Sequence, residues 1–333
     1  MRFTVSQLGE VALLRRLLDR LPPTALPVGP GDDAAAFTVV PGHLVLATTD
    51  TLVEGVHFRR EWAEPWQIGY KALAVNLSDI AAMGGRPTFA LVALGLPGEL
   101  SADWVDGFYE GLEQCARQWG AFIIGGDTVA APVMTVTITL LGEVEPKKVL
   151  SRQSALPGDL LVVTGDLGAS AAGLEELERP LAAGSAARAS VRARHLLPRP
   201  RIREGRILAG CGGVGAVIDL SDGLARGAWE IASASKLGLE IYADHLPISR
   251  WTREVAERHG KDPVEWALYG GEDYELLFSV RPSEYPAVRQ RILDACGSPV
   301  SKVGTVLSAE AGLTLVRGGT RETLRQGYEH FRS

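Results

Sequence analysis

Acidic side chains recur along this chain beside small residues and next to apolar runs. Asp50 follows the apolar run in "HLVLATTDT", Asp127 follows the one in "AFIIGGDT", and Asp79 lies in "NLSDIAAMG". A buried carboxylate must be paired, hydrogen-bonded or bound to a metal, because burial of a bare charge is costly. A lone aspartate of this kind is usually a helix cap or turn residue. Six or more in one chain predict an oxygen-rich site of the type that holds Mg²⁺ and phosphate groups.

Two stretches share the letters Leu-Ser-Asp: "NLSDIAAMG", which starts at Asn76, and "DLSDGLARG", which starts at Asp219. The first lies in a predicted helix, where Asn76 and Asp79 share a face next to the apolar stripe. The second joins a strand end to a helix start, so we expect Ser221 to be the N-cap and Asp222 to open the first turn. A helix N-terminus beside carboxylates suits metal and phosphate together. We expect both stretches to contribute to one polyphosphate site.

Spacing and glycine patterns argue against several common sites. The acids extend from Asp33 to Asp222, too far apart for the contiguous loop of an EF-hand. The motif "GCGGVG" follows a helix-like stretch and precedes a strand-like one, the reverse of a dinucleotide-binding fingerprint. The sequence contains no P-loop motif and no protein-kinase motif set. It has no obvious Ser-His-Asp or Cys-His set either, although His57 and His195 have neighbours that suit a site.

Two further motifs leave alternatives open. The stretch "VTGDLGASAAGL" predicts a strand, a glycine turn and a helix, whose backbone N–H groups either hold an anion or only form a structural turn. The stretch "YGGEDYELLF" places Glu272 and Asp273 before a strand, and taken alone it reads as a glycine turn with two capping residues.

Composition narrows the class of protein. The chain has 333 residues, of which 46% are hydrophobic, and a formal net charge of −6, so nucleic acid is a poor candidate for a partner. The most basic stretch, "RARHLLPRPRIREGR", is predicted to be a solvated helix end and loop. Three distant cysteines favour a reducing compartment, and we expect a cytoplasmic protein. The N-terminal stretch predicts an amphipathic helix rather than a signal peptide, and no apolar run is long enough to span a membrane.

The elements that must position the acids alternate between strands and helices, which predicts a mixed α/β fold in both halves. The stretch from Trp66 to Gly84 has an apolar stripe at helical spacing, and "HLVLATTDTLV" and "TFALVALGLP" read as strands. The stretches "AFIIGGDT" and "VMTVTITLLGEV" are expected to follow as a strand, a turn and a second strand. A polar segment with two prolines, "EVEPKKVLSRQSALPGD", separates the halves. We expect an N-terminal domain at 1–147 and a C-terminal domain at 148–333.

An ordered set of motifs resembles the thiamine-monophosphate kinase family. These motifs are "GDDAAAF", "TTDTLVEGVHF", "YKALAVNLSDIAAMGGRP", "IIGGDT", "VTGDLGASAAGL", "IDLSDGL", "GGEDYELLF" and "GYEHF", and they cover nearly the whole chain. Most are weak alone, but their order makes the set specific.

The resemblance implies ATP-dependent phosphorylation of thiamine monophosphate to thiamine diphosphate. It also implies the two-domain fold shared with aminoimidazole ribonucleotide synthetase, in which the N-terminal domain binds ATP and Mg²⁺ and pairs strands in a homodimer. The C-terminal domain would complete the active site. Several Mg²⁺ ions are implied, with K⁺ as a further ion, and the chemistry needs no covalent nucleophile or general base.

The site residues implied by the resemblance fall into three groups. Metal contacts are implied at Asp33, Thr48, Thr49, Asp50, Asp79, Asp127, Asp219 and Asp222. ATP contacts are implied at Tyr109, Gly126, Asp127, Arg152 and Ser221. Substrate contacts are implied at His57, Glu272 and Tyr328, the last replacing a tryptophan that some relatives carry shortly before the final glycine.

Three alternatives remain at this stage. One is another ATP-dependent enzyme of the same superfamily, such as an aminoimidazole ribonucleotide synthetase-like protein. The second is a Mg²⁺-dependent phosphatase that uses the same acids on water. The third is a nucleotide- or metal-binding regulatory protein, which the retention of every candidate ligand disfavours.

Overall fold

The structure is a computed structural model that describes residues 3–22, 26, 27, 29, 30, 34–181 and 186–327. The chain divides into two compact units. The N-terminal unit comprises Met1–Ile80 and Gly85–Pro146, and the C-terminal unit comprises Ala81–Gly84 and Lys147–Ser333. The domain boundaries and roles expected from the sequence stay predictions.

The N-terminal unit mixes helices and strands, as expected. In chain order its elements are α1 (Val5–Leu8), α2 (Glu10–Leu18), β1 (Leu44–Val53), α3 (Pro65–Ala82), β2 (Arg86–Leu96), α4 (Ala102–Trp119), β3 (Phe122–Ala130) and β4 (Thr135–Val144). The predicted N-terminal helix is divided into α1 and α2, because Gly9 between them has a positive φ of 72°. Among the described residues, the strands form a four-stranded sheet in the order β1-β4-β2-β3.

Strand register assigns the side chains of this sheet to two faces. Thr48 lies opposite Leu140 and Asp50 opposite Ile138, so the even-numbered residues of β1 and β4 share one face. That face is covered by α3, since an added Cβ at Gly142 would lie 3.1 Å from the Ile80 side chain. The odd-numbered residues of β1 and β4 form the other face, which we call the open sheet face. Strand pairing also places Leu91 of β2 and both Phe122 and Val129 of β3 on this face, where these side chains and Val45 are half exposed.

Helices α3 and α4 touch each other through glycines. A Cβ added at Gly69 would lie 1.9 Å from the carbonyl oxygen of Phe108, and one at Gly111 would lie 1.7 Å from that of Trp66. The two backbones are therefore in direct contact, with no room for a side chain at either glycine. This contact fixes α3, the helix that carries Asp79.

The C-terminal unit contains the remaining helices and strands. In chain order these are β5 (Leu160–Thr164), α5 (Ala169–Glu178), α6 (Ala186–Leu196), α7 (Ile202–Ala209), β6 (Val214–Asp219), α8 (Leu224–Ser235), β7 (Gly238–Tyr242), α9 (Arg250–His259), α10 (Pro263–Tyr269), β8 (Leu276–Val280), α11 (Tyr285–Cys296), β9 (Val300–Leu307), β10 (Leu313–Arg317) and β11 (Thr320–Thr323). Among the described residues, the strands form a mixed seven-stranded sheet in the order β11-β10-β7-β9-β5-β8-β6.

A continuous apolar core joins this sheet to its helices. Leu161, Ile218, Ile231 and Leu277 are buried in one cluster that includes residues of β5, β6, α8 and β8. The mixed α/β fold predicted from the alternation of elements is confirmed. Within the described residues, no helix combines the length and the hydropathy that crossing a membrane requires.

The glycine contact between α3 and α4 gives a test with two opposite expectations. Intrinsic helix propensity alone predicts that Gly111→Ala stabilises α4 by about 1 kcal/mol. The contact with the Trp66 carbonyl predicts the reverse, a destabilisation of about 2 kcal/mol or more from overpacking. Urea unfolding followed by circular dichroism decides the sign. Gly212→Ala is the matched control, because no atom lies within 4 Å of the added Cβ; stabilisation by Gly111→Ala would contradict the assigned contact.

Candidate active site

Three polar residues of the N-terminal unit meet between β1 and α3. The Thr48 hydroxyl donates a hydrogen bond to Oδ2 of Asp79, with 2.5 Å between the oxygens. Burial, and then the charge of Asp79, raise the pKa of Asp50 to about 6. Two carboxylates of like charge are therefore held near one hydroxyl on the helix-covered face of the sheet.

The chemistry of these donors fits a hard divalent cation. All are oxygen atoms, and a bound cation would offset the repulsion between Asp50 and Asp79. No group of three or more His, Cys, Asp or Glu side chains suited to a metal occurs in the described part of the chain. Asp33, a further predicted ligand, lies outside the described residues. The metal roles therefore stay predictions.

Asp127 lies elsewhere in the same unit. Asp127 pairs with Ala93 of β2, Ala93 pairs with Thr137 of β4, and Thr137 pairs with Thr51 of β1. Asp127 therefore lies on the open sheet face, opposite to Asp50. Its Oδ1 accepts a hydrogen bond from the N–H of Thr128 at 2.9 Å. Thr49 is on this open face too, where its hydroxyl donates to the Ile138 carbonyl.

The strand, turn and strand predicted from "AFIIGGDT" and "VMTVTITLLGEV" are confirmed, since β3 ends at Ala130 and β4 begins at Thr135. The two glycines before Asp127 lie within β3. Gly125 follows a bulge at which the pairing with β2 shifts, and a Cβ on Gly126 would lie 1.8 Å from the Val92 carbonyl. Gly126 is thus required by the close approach of β2, whatever its predicted contact with ATP.

Two predicted ligand contacts of this unit differ in exposure. Tyr109 is a core residue of α4, only 6% exposed, and burial raises the pKa of its hydroxyl. His57 follows β1, and its Nδ1 accepts a hydrogen bond from the N–H of Val53 at 3.1 Å. Asn76, expected beside the apolar stripe, is fully buried, with its amide donating to the Ala72 carbonyl.

In the C-terminal unit, the segment around Asp219 and Asp222 pairs with the loop before β8. The N–H of Leu220 donates to the Glu275 carbonyl, that of Tyr274 to the Leu220 carbonyl, and that of Glu272 to the Ser221 carbonyl. The predicted N-cap at Ser221 is wrong, because the N-cap of α8 is Gly223 and Ser221 lies in the paired segment before it. Helix α8 begins only at Leu224, after Gly223 with a φ of 90°.

The glycine turn before α5 holds an anion that belongs to the protein itself. Oδ2 of Asp273 accepts a hydrogen bond from the N–H of Gly168 at 2.7 Å, and Oδ1 accepts one from Ser170 at 3.1 Å. Asp273 therefore caps the N-terminus of α5 across 105 positions of sequence. This resolves the alternative left open for "VTGDLGASAAGL", and it assigns the capping role of Asp273 to a distant helix.

The predicted ligand contacts of this unit lie around that cap. Glu272 is 26% exposed, and its Oε2 lies 3.2 Å from Nδ1 of His195. Arg152 is half exposed and its guanidinium lies 3.5 Å from Glu230 of α8. Tyr328 lies outside the described residues.

Comparison with known proteins follows the same division. Residues 31–144 match the AIR synthase related protein, N-terminal domain family, and residues 157–315 match the corresponding C-terminal domain family. The thiamine-monophosphate kinase of Bacillus subtilis (strain 168) is 38% identical over 317 residues, covering 93% of this chain and 95% of the relative. The chain belongs to the thiamine-monophosphate kinase family.

Solved structures of this family have the same fold. The crystal structure of thiamine-monophosphate kinase from Stenotrophomonas maltophilia K279a is 34% identical and aligns with a TM-score of 0.79 over 91% of this chain and 94% of that one. A second structure, AaThiL complexed with AMPPCP and TMP, is 32% identical and aligns with a TM-score of 0.79 over 99% of both chains. The expected two-domain fold of the aminoimidazole ribonucleotide synthetase type is therefore confirmed.

Sequence reasoning missed a buried ionic cluster behind the family motif "GGEDYELLF". Glu275 is fully buried, and its carboxylate accepts hydrogen bonds from Arg194 at 2.7 Å, from Arg201 at 2.5 Å and from the Thr164 hydroxyl at 2.7 Å. The "RARHLLPRPRIREGR" stretch is thus not a solvated surface, since Arg201 and His195 are both about 4% exposed. The signal was opposite charge in two motifs, but their separation of 74 to 81 residues hides it.

The Asp273 cap predicts a pH-dependent stability. Burial raises the pKa of Asp273 to about 7, although the bonds from Gly168 and Ser170 oppose the shift. A folded pKa above the unfolded one contributes stability at low pH that is lost as the pH rises through about 7. Asn cannot titrate, so the stability of wild type relative to Asp273→Asn should be greater at pH 5 than at pH 8.

Unfolding of both proteins in urea at the two pH values measures this difference. Asn also has one acceptor oxygen for two N–H groups, so the variant should be less stable at pH 5, by about 1–3 kcal/mol. An advantage of wild type that stays constant or grows from pH 5 to pH 8 would contradict the assigned shift.

Proposed function

We propose that this chain transfers the γ-phosphoryl group of ATP to thiamine monophosphate and forms thiamine diphosphate. The observation that carries the proposal is the alignment over 99% of both chains with AaThiL, a protein solved with AMPPCP and TMP. We interpret these ligands as an ATP analogue and thiamine monophosphate, the two substrates of the proposed reaction. Both units carry carboxylates that would bind the Mg²⁺ on which this reaction depends.

In the N-terminal unit, Asp50, Asp79 and Thr48 would hold Mg²⁺, with Asp33 as a further ligand, while Thr49 and Asp127 would contact metal separately, on the open sheet face. The support is the oxygen-only donor set and the close approach of two carboxylates between β1 and α3. When bound, Mg²⁺ supplies positive charge to phosphate oxygens. Without that charge, the carboxylates would repel the phosphate groups of both substrates. Gly126, Asp127 and Tyr109 would contribute ATP contacts.

In the C-terminal unit, Asp219 and Asp222 would be the second set of metal ligands. Ser221 would donate its hydroxyl to the nucleotide, and Arg152 would donate two parallel N–H groups to a phosphate. That this set and the N-terminal one serve a single polyphosphate site stays a prediction.

The substrate side would involve His57, Glu272 and Tyr328. Thiamine carries a permanently cationic thiazolium ring, so the carboxylate of Glu272 has suitable charge to face it. Tyr328 has a π surface on which an aromatic ring can stack.

The chemical step requires alignment more than covalent help. An oxygen of the thiamine monophosphate phosphate forms a bond to the γ-phosphorus, while the bond from that phosphorus to the β–γ bridging oxygen breaks and ADP leaves. The acceptor phosphate is already ionised near pH 7, so no side chain has to remove a proton. The protein holds both phosphates in line and neutralises the charge that builds up.

Incubation with ATP, Mg²⁺ and thiamine monophosphate tests the function, with thiamine diphosphate and inorganic phosphate followed separately. We expect thiamine diphosphate and ADP in equal amounts. Asp50→Asn and Asp222→Asn should each lower kcat/KM by about a hundredfold or more, since a metal ligand stabilises several kcal/mol of charge. Asp294→Asn, a matched change on the surface of α11, should keep wild-type activity.

Other outcomes would identify the alternatives. Inorganic phosphate formed from either substrate without thiamine diphosphate would indicate a phosphatase. ATP turnover only with an aminoimidazole ribonucleotide precursor would indicate the synthetase-like enzyme. Near-normal activity in Asp222→Asn would remove this residue from the site.

We also propose that a second copy of the chain covers the open sheet face. Leu91, Phe122, Val129 and Val45 expose between 41% and 54% of their surface there, which is a large apolar area for a single face. The ten-residue strand β1 is at one edge of the sheet, where its second side can pair with another strand.

K⁺ binding and a cytoplasmic location also remain proposals. The first rests on the family resemblance and the second on cysteine usage.

A matched pair of leucine substitutions tests the dimer. Leu91 on the open sheet face and Leu293 on α11 are both 41% exposed. Leu91→Asp should convert a dimer to a monomer in light scattering after size exclusion, because it would bury a charge against the partner copy. Leu293→Asp should leave the mass unchanged. A wild-type monomer, or a dimer that both variants retain, would contradict the proposal.

A further inference from the structure

The loop that carries Glu272 is held in an unusual backbone conformation. Glu272 and Tyr274 have φ values of 56° and 51°, in a backbone region that residues other than glycine rarely adopt. Gly271 before them also has a positive φ, of 69°. Such conformations persist only where the surroundings over-determine them, and they are concentrated at functional sites. We call residues 270–275 the Glu272 loop. Its backbone conformation costs free energy, which the surrounding contacts must offset.

Main-chain contacts fix the backbone of this loop from two sides. On one side the Asp273 carboxylate binds the N–H groups of Gly168 and Ser170 at the start of α5. On the other, the N–H of Glu272 donates to the Ser221 carbonyl at 2.6 Å. These contacts set the Cα position of Glu272, but they leave its long side chain with several rotamers.

A buried histidine supplies the contact that orients this side chain. His195, near the C-terminal end of α6, is 4% exposed. Its Nδ1 lies 3.0 Å from Oγ of Ser170 and 3.2 Å from Oε2 of Glu272. An ionised carboxylate has no proton to donate, so attraction at this distance requires the proton on Nδ1. The Ser170 hydroxyl fits either tautomer, since it can accept from Nδ1–H or donate to a bare Nδ1. The contact with Glu272 requires the tautomer in which Nδ1 carries the proton, and the inference below rests on that form.

We propose that His195 is a positioning residue that acts through Glu272: its Nδ1–H fixes the carboxylate that meets thiamine monophosphate. This inference rests on the proposed function. The Glu272 side chain is 26% exposed, whereas the histidine that contacts its carboxylate has almost no exposure. A group fixed before the substrate arrives loses less side-chain entropy on binding. The effect should fall on the binding of thiamine monophosphate and leave the binding of ATP unchanged.

Two amides of similar chemistry test the position of the donor. The amide nitrogen of Asn occupies nearly the place of Nδ1 in His, whereas that of Gln reaches further, to the place of Nε2. His195→Asn should therefore keep a KM for thiamine monophosphate within about threefold of wild type. His195→Gln and His195→Leu should raise it about tenfold, the loss of one hydrogen bond to a charged group. The KM for ATP should stay constant in all three variants.

The second arm asks whether His195 acts through Glu272. In an Glu272→Gln background, His195→Gln should change the KM for thiamine monophosphate by less than about twofold, because the charged acceptor is gone. His259→Gln is the matched control, since His259 is a buried histidine 2.9 Å from the buried carboxylate of Glu176 in the same unit. It should lower the unfolding temperature without a selective change in either KM.

Each outcome of these experiments either supports the positioning role of His195 or overturns it. Equal KM values for thiamine monophosphate in the Asn and Gln variants, a parallel rise in the KM for ATP, or a full effect in the Glu272→Gln background would overturn the inference. If His195→Leu does not fold, the comparison of Asn with Gln still decides, since both keep a polar side chain. A wild-type protein that forms no thiamine diphosphate would instead overturn the proposed function, before any variant is compared.

Discussion

The contact between Asp273 and the first turn of α5 joins three parts of the C-terminal unit. Its carboxylate satisfies two N–H groups that the helix cannot pair internally. It thereby fixes the glycine turn before α5 and the Glu272 loop, which in turn pairs with Leu220 and Ser221 beside Asp219 and Asp222. One buried acid thus determines where the candidate substrate contact lies relative to two candidate metal ligands.

A related electrostatic constraint applies to the whole chain. An acidic protein with a formal net charge of −6 has to bring the phosphate groups of two substrates together. Some of its buried acids are offset by the protein itself, as Glu275 is by Arg194 and Arg201. The pair of Asp50 and Asp79 differs from Glu275, because the two carboxylates have like charge and repel each other. Glu275 is thereby part of the scaffold, whereas Asp50 and Asp79 stay candidates for binding metal.

Local patterns were sufficient for most elements. The apolar stripe predicted α3, and apolar runs predicted β1, β2 and the strand before α5, because burial on one side imposes a period on the sequence. Predictions failed where a distant partner decides the local conformation. Ser221 looked like an N-cap, yet pairing with the Glu272 loop delays the helix to Leu224.

The candidate site shows the same limit. The resemblance supplied candidate ligands one by one, and the structure places Thr48, Asp50 and Asp79 together. The role of Asp273 and the contact between His195 and Glu272 join residues that are 105 and 77 positions apart in the sequence. No spacing rule connects them, so they become visible only in three dimensions.

The central claim is direct phosphoryl transfer from ATP to the phosphate group of thiamine monophosphate, with no phosphorylated side chain in between. The most direct measurement is a single turnover with ATP labelled at the γ-phosphorus, enzyme in excess and thiamine monophosphate present. We predict that all of the label enters the terminal phosphate of thiamine diphosphate, with none on the protein at any time during the turnover. Label in inorganic phosphate, or label that passes through a phosphorylated side chain, would contradict the account.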